Sequence, residues 1–314
     1  MKLHSNIKIF SDTLKAASQH LNIRLDFVEK DYWITLALNR LSKSEFASDA
    51  VFKGGTSLSK GYNLIKRFSE DVDIAIINKD NKSGNKIKGI IRTIEKEMTI
   101  ELNELYMEGV TSKGSRFRKS VFEYDSVDSK NKNNKLIVEI NSFANPFPFQ
   151  SLPIKSMVVD FLTETDNEKY IEIYNLQPFK INVLNKEQTL LEKMVSLIRF
   201  SYEKDIVESI SKKIRHFYDL YYLMNDKECV AYVNSEKFKI QFNKILSHDK
   251  KIFDEPVGWQ SKLLEDSPLF VDFENIWKQL KISYKKELTE LAYIDIPDEK
   301  EVASCFIKLL KLIR

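Results

Sequence analysis

The sequence predicts an α+β protein, with a mixed β-sheet flanked by helices followed by a mainly α-helical C-terminal domain. Three observations carry that expectation. Alternating residues mark strands in the first half, at Asp71-Val72-Asp73-Ile74 and again over 136–143. A glycine pair, Gly54-Gly55, ends the apolar run Val51-Phe52 and opens a short helical pattern with Leu58, Tyr62 and Ile65. From Asn185 onward the composition changes to long helical periods, so the chain divides into 1–185 and 186–314.

Composition sets the outer bounds. The 314 residues are enough to bury a substantial core, and 43% hydrophobic with 30% charged residues is ordinary for a globular protein. A formal charge of +3 does not by itself indicate nucleic acid, although Lys and Arg cluster locally. Cys229 and Cys305 match neither a disulfide framework nor a zinc spacing. The opening MKLHSNIKIF has no apolar signal core, and no stretch approaches the ~20 apolar residues of a membrane span. A reduced cytoplasmic setting, away from membranes, is expected.

In chain order, 6–22 and 28–42 read as helices, the second carrying Glu29-Lys30-Asp31-Tyr32-Trp33. That box reads as a helix packing its aromatics on the sheet, with direct substrate binding as the alternative. Next comes the stretch on which the chemistry rests, FKGGTSLSKGYNLIKRFSEDVDIAI. Thr56 and Ser57 are placed to cap a helix after the glycine turn, whose free N–H groups suit a phosphate. Period two sets Asp71 and Asp73 on one face of their strand. Two carboxylates so close repel each other unless a cation lies between them, which points to a hard metal.

Gly-Gly-Thr, a short helix and Asp-x-Asp on a strand resemble the polymerase-β nucleotidyltransferase superfamily. The fuller string resembles the AbiEii/AbiGii-type toxins, nucleotidyltransferase-like members of bacterial toxin–antitoxin and phage-defence systems. Their Glu-Lys-Asp-Tyr-Trp-like segment extends the resemblance toward the N-terminus. The resemblance implies a polymerase-β-like nucleotidyltransferase core and transfer of NMP from an NTP, with Mg²⁺ or Mn²⁺. Gly54, Gly55, Thr56, Ser57 and Lys60 would bind the nucleotide, and Asp71 and Asp73 the metal.

Past this core, 79–88 is a polar, basic connection, read as solvated or as an RNA contact. A helix is expected over 87–105, then a hairpin of 116–124 with 136–143. Glu139 interrupts an apolar strand. Either it faces solvent or pairs with Arg118, or it is the third metal carboxylate that the superfamily places beside Asp-x-Asp. Residues 144–153 carry Pro146, Pro148 and Pro153 and read as irregular, followed by strands at 156–163, 169–174 and 179–184.

In the second half, KEQTLLEKMVSLIRF resembles the family's downstream lysine motif, which makes Lys193 a phosphate ligand; by spacing alone it is a solvated lysine. The run 212–221 resembles the family's basic-x-x-x-Asp-Leu motif. Asp219 is then a site carboxylate held by Arg215, or half of an ordinary intrahelical pair. His216 reads as a packing or surface histidine. Further helices are expected at 235–246, 273–291 and 300–312.

Relatives of the MenT kind add nucleotides to the 3′ end of tRNA. The resemblance therefore implies tRNA as acceptor, with Arg116, Arg118, Lys119, Lys212 and Lys213 as an electrostatic track. It also implies a cognate antitoxin. Two other readings stand beside it: NMP transfer to a protein hydroxyl, and a nucleotide-binding interaction protein with degenerate activity.

Overall fold

The computed structural model describes residues 2–69, 71–78, 83–131, 134–144 and 146–314. Glu70 of the central motif and the first part of the basic 79–88 loop lie outside the described residues. The chain folds into two compact units, Met1–Asn63 with Phe68–Leu184, and Leu64–Arg67 with Asn185–Arg314.

The first unit opens with α1 (Ile7–Leu21) and α2 (Leu25–Ser42). Asn6 caps α1 by accepting from the Ile9 amide, and Asn22 ends it in the left-handed conformation. Strand β1 (Ala50–Lys53) runs directly into α3 (Gly54–Lys60), followed by β2 (Asp71–Ile76) and α4 (Gly84–Met98). Four strands come next: β3 (Asn103–Leu105), β4 (Ser112–Lys113), β5 (Phe117–Glu123) and β6 (Lys135–Asn141). The unit closes with β7 (Phe149–Ile154), α5 (Met157–Glu164), α6 (Lys169–Ile173) and β8 (Phe179–Leu184).

These strands form one mixed sheet in the order β3-β5-β6-β2-β1-β8-β7, with β4 paired to β5. The β2 strand is central, antiparallel to β1 and parallel to β6. Its alternation decides which face holds the core. Val72, Ile74 and Ile76 join Val138 and Ile140 of β6 in one apolar cluster with Ile34 and Leu38 of α2 and Ile90, Ile91 and Ile94 of α4. Asp71 and Asp73, one position out of phase, fall on the opposite face.

Several expected elements differ. Residues 157–164 and 169–173 are helices where strands were expected, and α5 is capped by Ser156, which accepts from the Val159 amide. The helix expected to reach 105 stops at Met98, and Asn103–Leu105 is a strand at the sheet edge. The proline-rich stretch read as irregular contains β7. That strand is the opposite edge of the sheet, where Pro153 is tolerated because one side of the strand has no ladder to complete.

The second unit is helical: α7 (Lys186–Phe200), α8 (Ile206–Ser211), α9 (Arg215–Leu223), α10 (Lys227–Val233), α11 (Glu236–Ile252), α12 (Pro268–Val271), α13 (Phe273–Leu291) and α14 (Glu299–Ile313). Leu190, Leu191, Met194, Leu197 and Ile198 of α7 are all buried, as their spacing requires. An aromatic group of Phe217, Phe273, Trp277 and Phe306 joins α9, α13 and α14. Leu64–Arg67 belongs to this unit through an isolated bridge between Arg67 and Ala292 and a bond from the Tyr293 amide to the Lys66 carbonyl.

Candidate active site

Register builds the carboxylate group of the first unit. The parallel pairing of β2 and β6 sets Asp73 opposite Glu139. On the far side of β2, Lys53 of β1 faces Asp73; on the far side of β6, Lys119 of β5 faces Glu139. One row across the sheet therefore reads Lys53, Asp73, Glu139, Lys119, with Asp71 two residues before Asp73 on the same face. Burial, then the charges of Glu139 and Asp71, push the Asp73 carboxyl up to about 7, against the smaller pull of Lys53 and Lys119.

The cation on Glu139 is Lys119, with Nζ 3.4 Å from Oε2 and 4.0 Å from Asp71 Oδ2. It is not Arg118. Neighbours on a strand point to opposite faces, so Arg118 turns toward α4 and binds Glu95, which also accepts from Ser120 Oγ. Arg118 is thereby buried and lost to any surface track for RNA. Lys212 pairs with Glu208 one turn earlier, while Arg116 is exposed.

Gly54 is where the backbone meets the carboxylates. Its φ is +78°, and a Cβ built there would lie 2.1 Å from Asp73 Oδ2, so any other residue collides with that carboxylate. The helix begins at Gly54 itself, with Lys53 as N-cap, instead of being capped by Thr56 or Ser57. Those hydroxyls bond to carbonyls: Thr56 Oγ1 donates to Asp71 O at 2.6 Å and Ser57 Oγ to Gly54 O at 2.8 Å. Thr56 thus ties α3 to the start of the Asp-x-Asp strand.

Lys60, assigned to the nucleotide by the resemblance, pairs with Asp31. Its Nζ lies 2.5 Å from Asp31 Oδ1 and donates to the Lys155 carbonyl, while Asp31 Oδ2 accepts from the Met157 amide at 2.7 Å. Asp31, from the Glu-Lys-Asp-Tyr-Trp box, so holds α3 and the N-terminus of α5 to α2. The same box is structural throughout. Glu29 accepts from Ser126 Oγ and the Val127 amide, and Trp33 stacks on Tyr124 in a second apolar cluster with Phe10 and Leu14. Asp31→Asn is expected to cost about 2 kcal/mol in urea unfolding, because it leaves a buried ammonium without its counter-charge. Adding Lys60→Met should recover part of that loss.

In the second unit the structure brings Lys193 and Asp219 together and adds a residue that sequence reasoning missed. Arg67 grips Asp219 with two bonds, Nε to Oδ1 at 2.8 Å and Nη2 to Oδ2 at 2.6 Å, while Lys193 Nζ is 2.7 Å from Oδ2. Arg215 instead pairs with Glu287 at 3.0 Å. Asp219 is fully buried. Burial alone would raise its carboxyl, but Arg67 and Lys193 outweigh it and hold the group well below the usual carboxylate range. His216, half-buried beside Lys193 and Lys213, is kept neutral by burial and by those cations.

The metal that the Asp-x-Asp pattern implies can be tested against this donor set. Among the described residues, no three His, Cys, Asp or Glu side chains form a ready-made cage. Mg²⁺ does not need one, since it characteristically takes one or two carboxylates and completes its shell with water and substrate phosphate. All-oxygen donors crowded enough to raise Asp73 fit such an ion. A pH dependence follows. A carboxyl raised in the folded state binds its proton more readily there than in the unfolded chain. Stability of the metal-free protein should therefore fall as pH rises from 5 to 8, read by thermal unfolding in EDTA.

The profile of a protein family described as "Nucleotidyl transferase AbiEii toxin, Type IV TA system" matches residues 36–302. Among solved structures, the chain is similar in fold to MenT4, a nucleotidyltransferase toxin from Mycobacterium tuberculosis, with a TM-score of 0.51 and 15% identity over 96% of this chain and 99% of that one. No curated protein sequence matches. No helix among the described residues is long and apolar enough to cross a membrane.

Proposed function

Because the chain belongs to the AbiEii nucleotidyl transferase toxin family of type IV toxin–antitoxin systems, and is therefore a nucleotidyltransferase with an NTP as substrate, we propose that it transfers NMP to the 3′ end of tRNA with Mg²⁺ or Mn²⁺ held by Asp71 and Asp73. The observation that supports this most is the register of Asp73 with Glu139 beneath a glycine that a side chain could not replace. An antitoxin counterpart follows from the same family.

In this reading the acceptor hydroxyl attacks the α-phosphorus of the NTP, its proton leaves to solvent or a carboxylate, and pyrophosphate departs. A bound divalent ion would neutralise phosphate charge and lower the pKa of the attacking hydroxyl. The chain supplies the rest. Asp71 and Asp73 would provide ligands from a strand paired on both sides, with Glu139 of the neighbouring strand as the third carboxylate. Thr56 and the amides at Gly54 and Gly55 hold the turn in place for the nucleotide. The family resemblance makes Lys193 a phosphate ligand, and within the helical unit Asp219 orients its ammonium. Most of the catalysis is then positioning and electrostatics. Net charge gives little support for RNA, and the acceptor rests on the resemblance to MenT-type relatives.

The test is incorporation. Purified protein with Mg²⁺, total tRNA and each labelled NTP in turn should label tRNA with one or a few of the nucleotides. Label on protein alone would move the acceptor to a protein hydroxyl. NTP binding without label anywhere would contradict transfer.

A further inference from the structure

Lys119 stands on the carboxylate face and takes no part in the transfer step. Its place is set by the β5–β6 register, which puts it opposite Glu139, and its ammonium stands 3.4 Å from Glu139 Oε2 and 4.0 Å from Asp71 Oδ2. The side chain is 27% exposed, so the contact is partly screened but not a surface accident. Arg118, its neighbour, is fixed to the opposite face by Glu95, which holds the strand in the phase that presents Lys119 here. Lys53 flanks the row at its other end, opposite Asp73.

We propose that Lys119 is a tethered counter-cation of the carboxylate site, which disfavours bare divalent metal and favours metal that arrives with a nucleoside triphosphate. The proposal rests on the reading of Asp71, Asp73 and Glu139 as metal ligands. A divalent ion entering alone must settle beside an ammonium already 3 to 4 Å from two of its prospective ligands, and the two cations repel. A metal–triphosphate complex carries net negative charge. For it the same ammonium is attractive, because it offers the triphosphate a positive charge beside the carboxylates that would hold the metal. One lysine thereby discriminates between two forms of the same metal and discourages idle metal loading in a cell rich in free Mg²⁺.

The experiment is Mn²⁺ binding, followed by electron paramagnetic resonance and by calorimetry, with no turnover involved. It compares wild type, Lys119→Met, Lys119→Arg and Asp73→Asn. Each is titrated with Mn²⁺ alone and with Mn²⁺ plus each of the four α,β-methylene NTPs. Lys119→Met should bind bare Mn²⁺ about tenfold more tightly and the Mn²⁺–nucleotide complex about tenfold more weakly, since one unit charge is removed within 4 Å. Lys119→Arg should stay near wild type. Bare Mn²⁺ affinity that is unchanged or weaker in Lys119→Met overturns the proposal. Should Lys119→Met fold poorly in a thermal melt, Lys119→Gln takes the same measurement. The underlying reading fails separately: Mn²⁺ bound equally well by Asp73→Asn would mean that the ion sits elsewhere, which overturns both.

Discussion

Asp73→Asn is expected to cut nucleotidyl transfer by about a thousandfold, the loss typical of removing one preorganised charged group from the reacting centre. The substitution keeps size and shape, removes the charge and turns one acceptor oxygen into an NH2 donor, so its effect is chiefly electrostatic. Asp73 faces Glu139 in register and lies against Gly54, and burial together with those neighbouring charges already holds its carboxyl up to about 7. The same variant should make the metal-free protein more stable than wild type at pH 8, because a buried repulsion disappears. At pH 5 the two should converge, since Asp73 is then protonated. Activity and stability moving in opposite directions is the signature of a group kept for function at a cost to the fold. Initial rates of label incorporation and paired melts in EDTA measure the two effects. A variant retaining a tenth of wild-type activity would remove Asp73 from the metal site.

Asp219→Ala is expected to destabilise the protein by about 3–5 kcal/mol, the usual result of removing one member of a buried ionic group. Arg67 is 3% exposed and Lys193 7%, and both direct their charge at the one carboxylate. Without it two like charges share a buried space. Single substitutions Arg67→Met and Lys193→Met should cost less, because each leaves one cation paired with Asp219. A carboxyl held low in the folded state contributes stability at neutral pH and loses it only as pH falls through its depressed value, so the cluster should persist well into acid. Urea unfolding followed by circular dichroism gives the values. A loss below 1 kcal/mol for Asp219→Ala would mean that the group is solvated and not the helical unit's electrostatic centre.

Much of this was readable from residue order. Period two placed Asp71 and Asp73 on one face and Val72 with Ile74 on the other, and the helical spacing of Leu190, Leu191, Met194 and Leu197 marked a buried stripe that the structure contains. The failures have physical causes. Met157-Val158-Val159-Asp160-Phe161-Leu162-Thr163 is a short apolar run rich in β-branched and aromatic residues, which periodicity alone does not separate from a strand. Ser156 was the available cap signal. Pro153 argued against β7 because strand interiors exclude proline, and only the sheet order shows that β7 is an edge. Arg67 and Lys119 were visible as basic residues, but their partners lie far away in sequence. Strand pairing in one case, and the return of 64–67 to the helical unit in the other, bring them together.

That return has a consequence for synthesis. Leu64–Arg67 is synthesised well before the groups that receive it, Asp219, Ala292 and Tyr293. The Asp-x-Asp strand follows four residues after Arg67 and can pair within its own sheet long before then. A nascent chain would thus hold Asp71 and Asp73 on a paired strand while the arginine just ahead of them still lacks its anchor. Anchoring of this arginine is therefore a late event of folding, one that waits for residues 219–293.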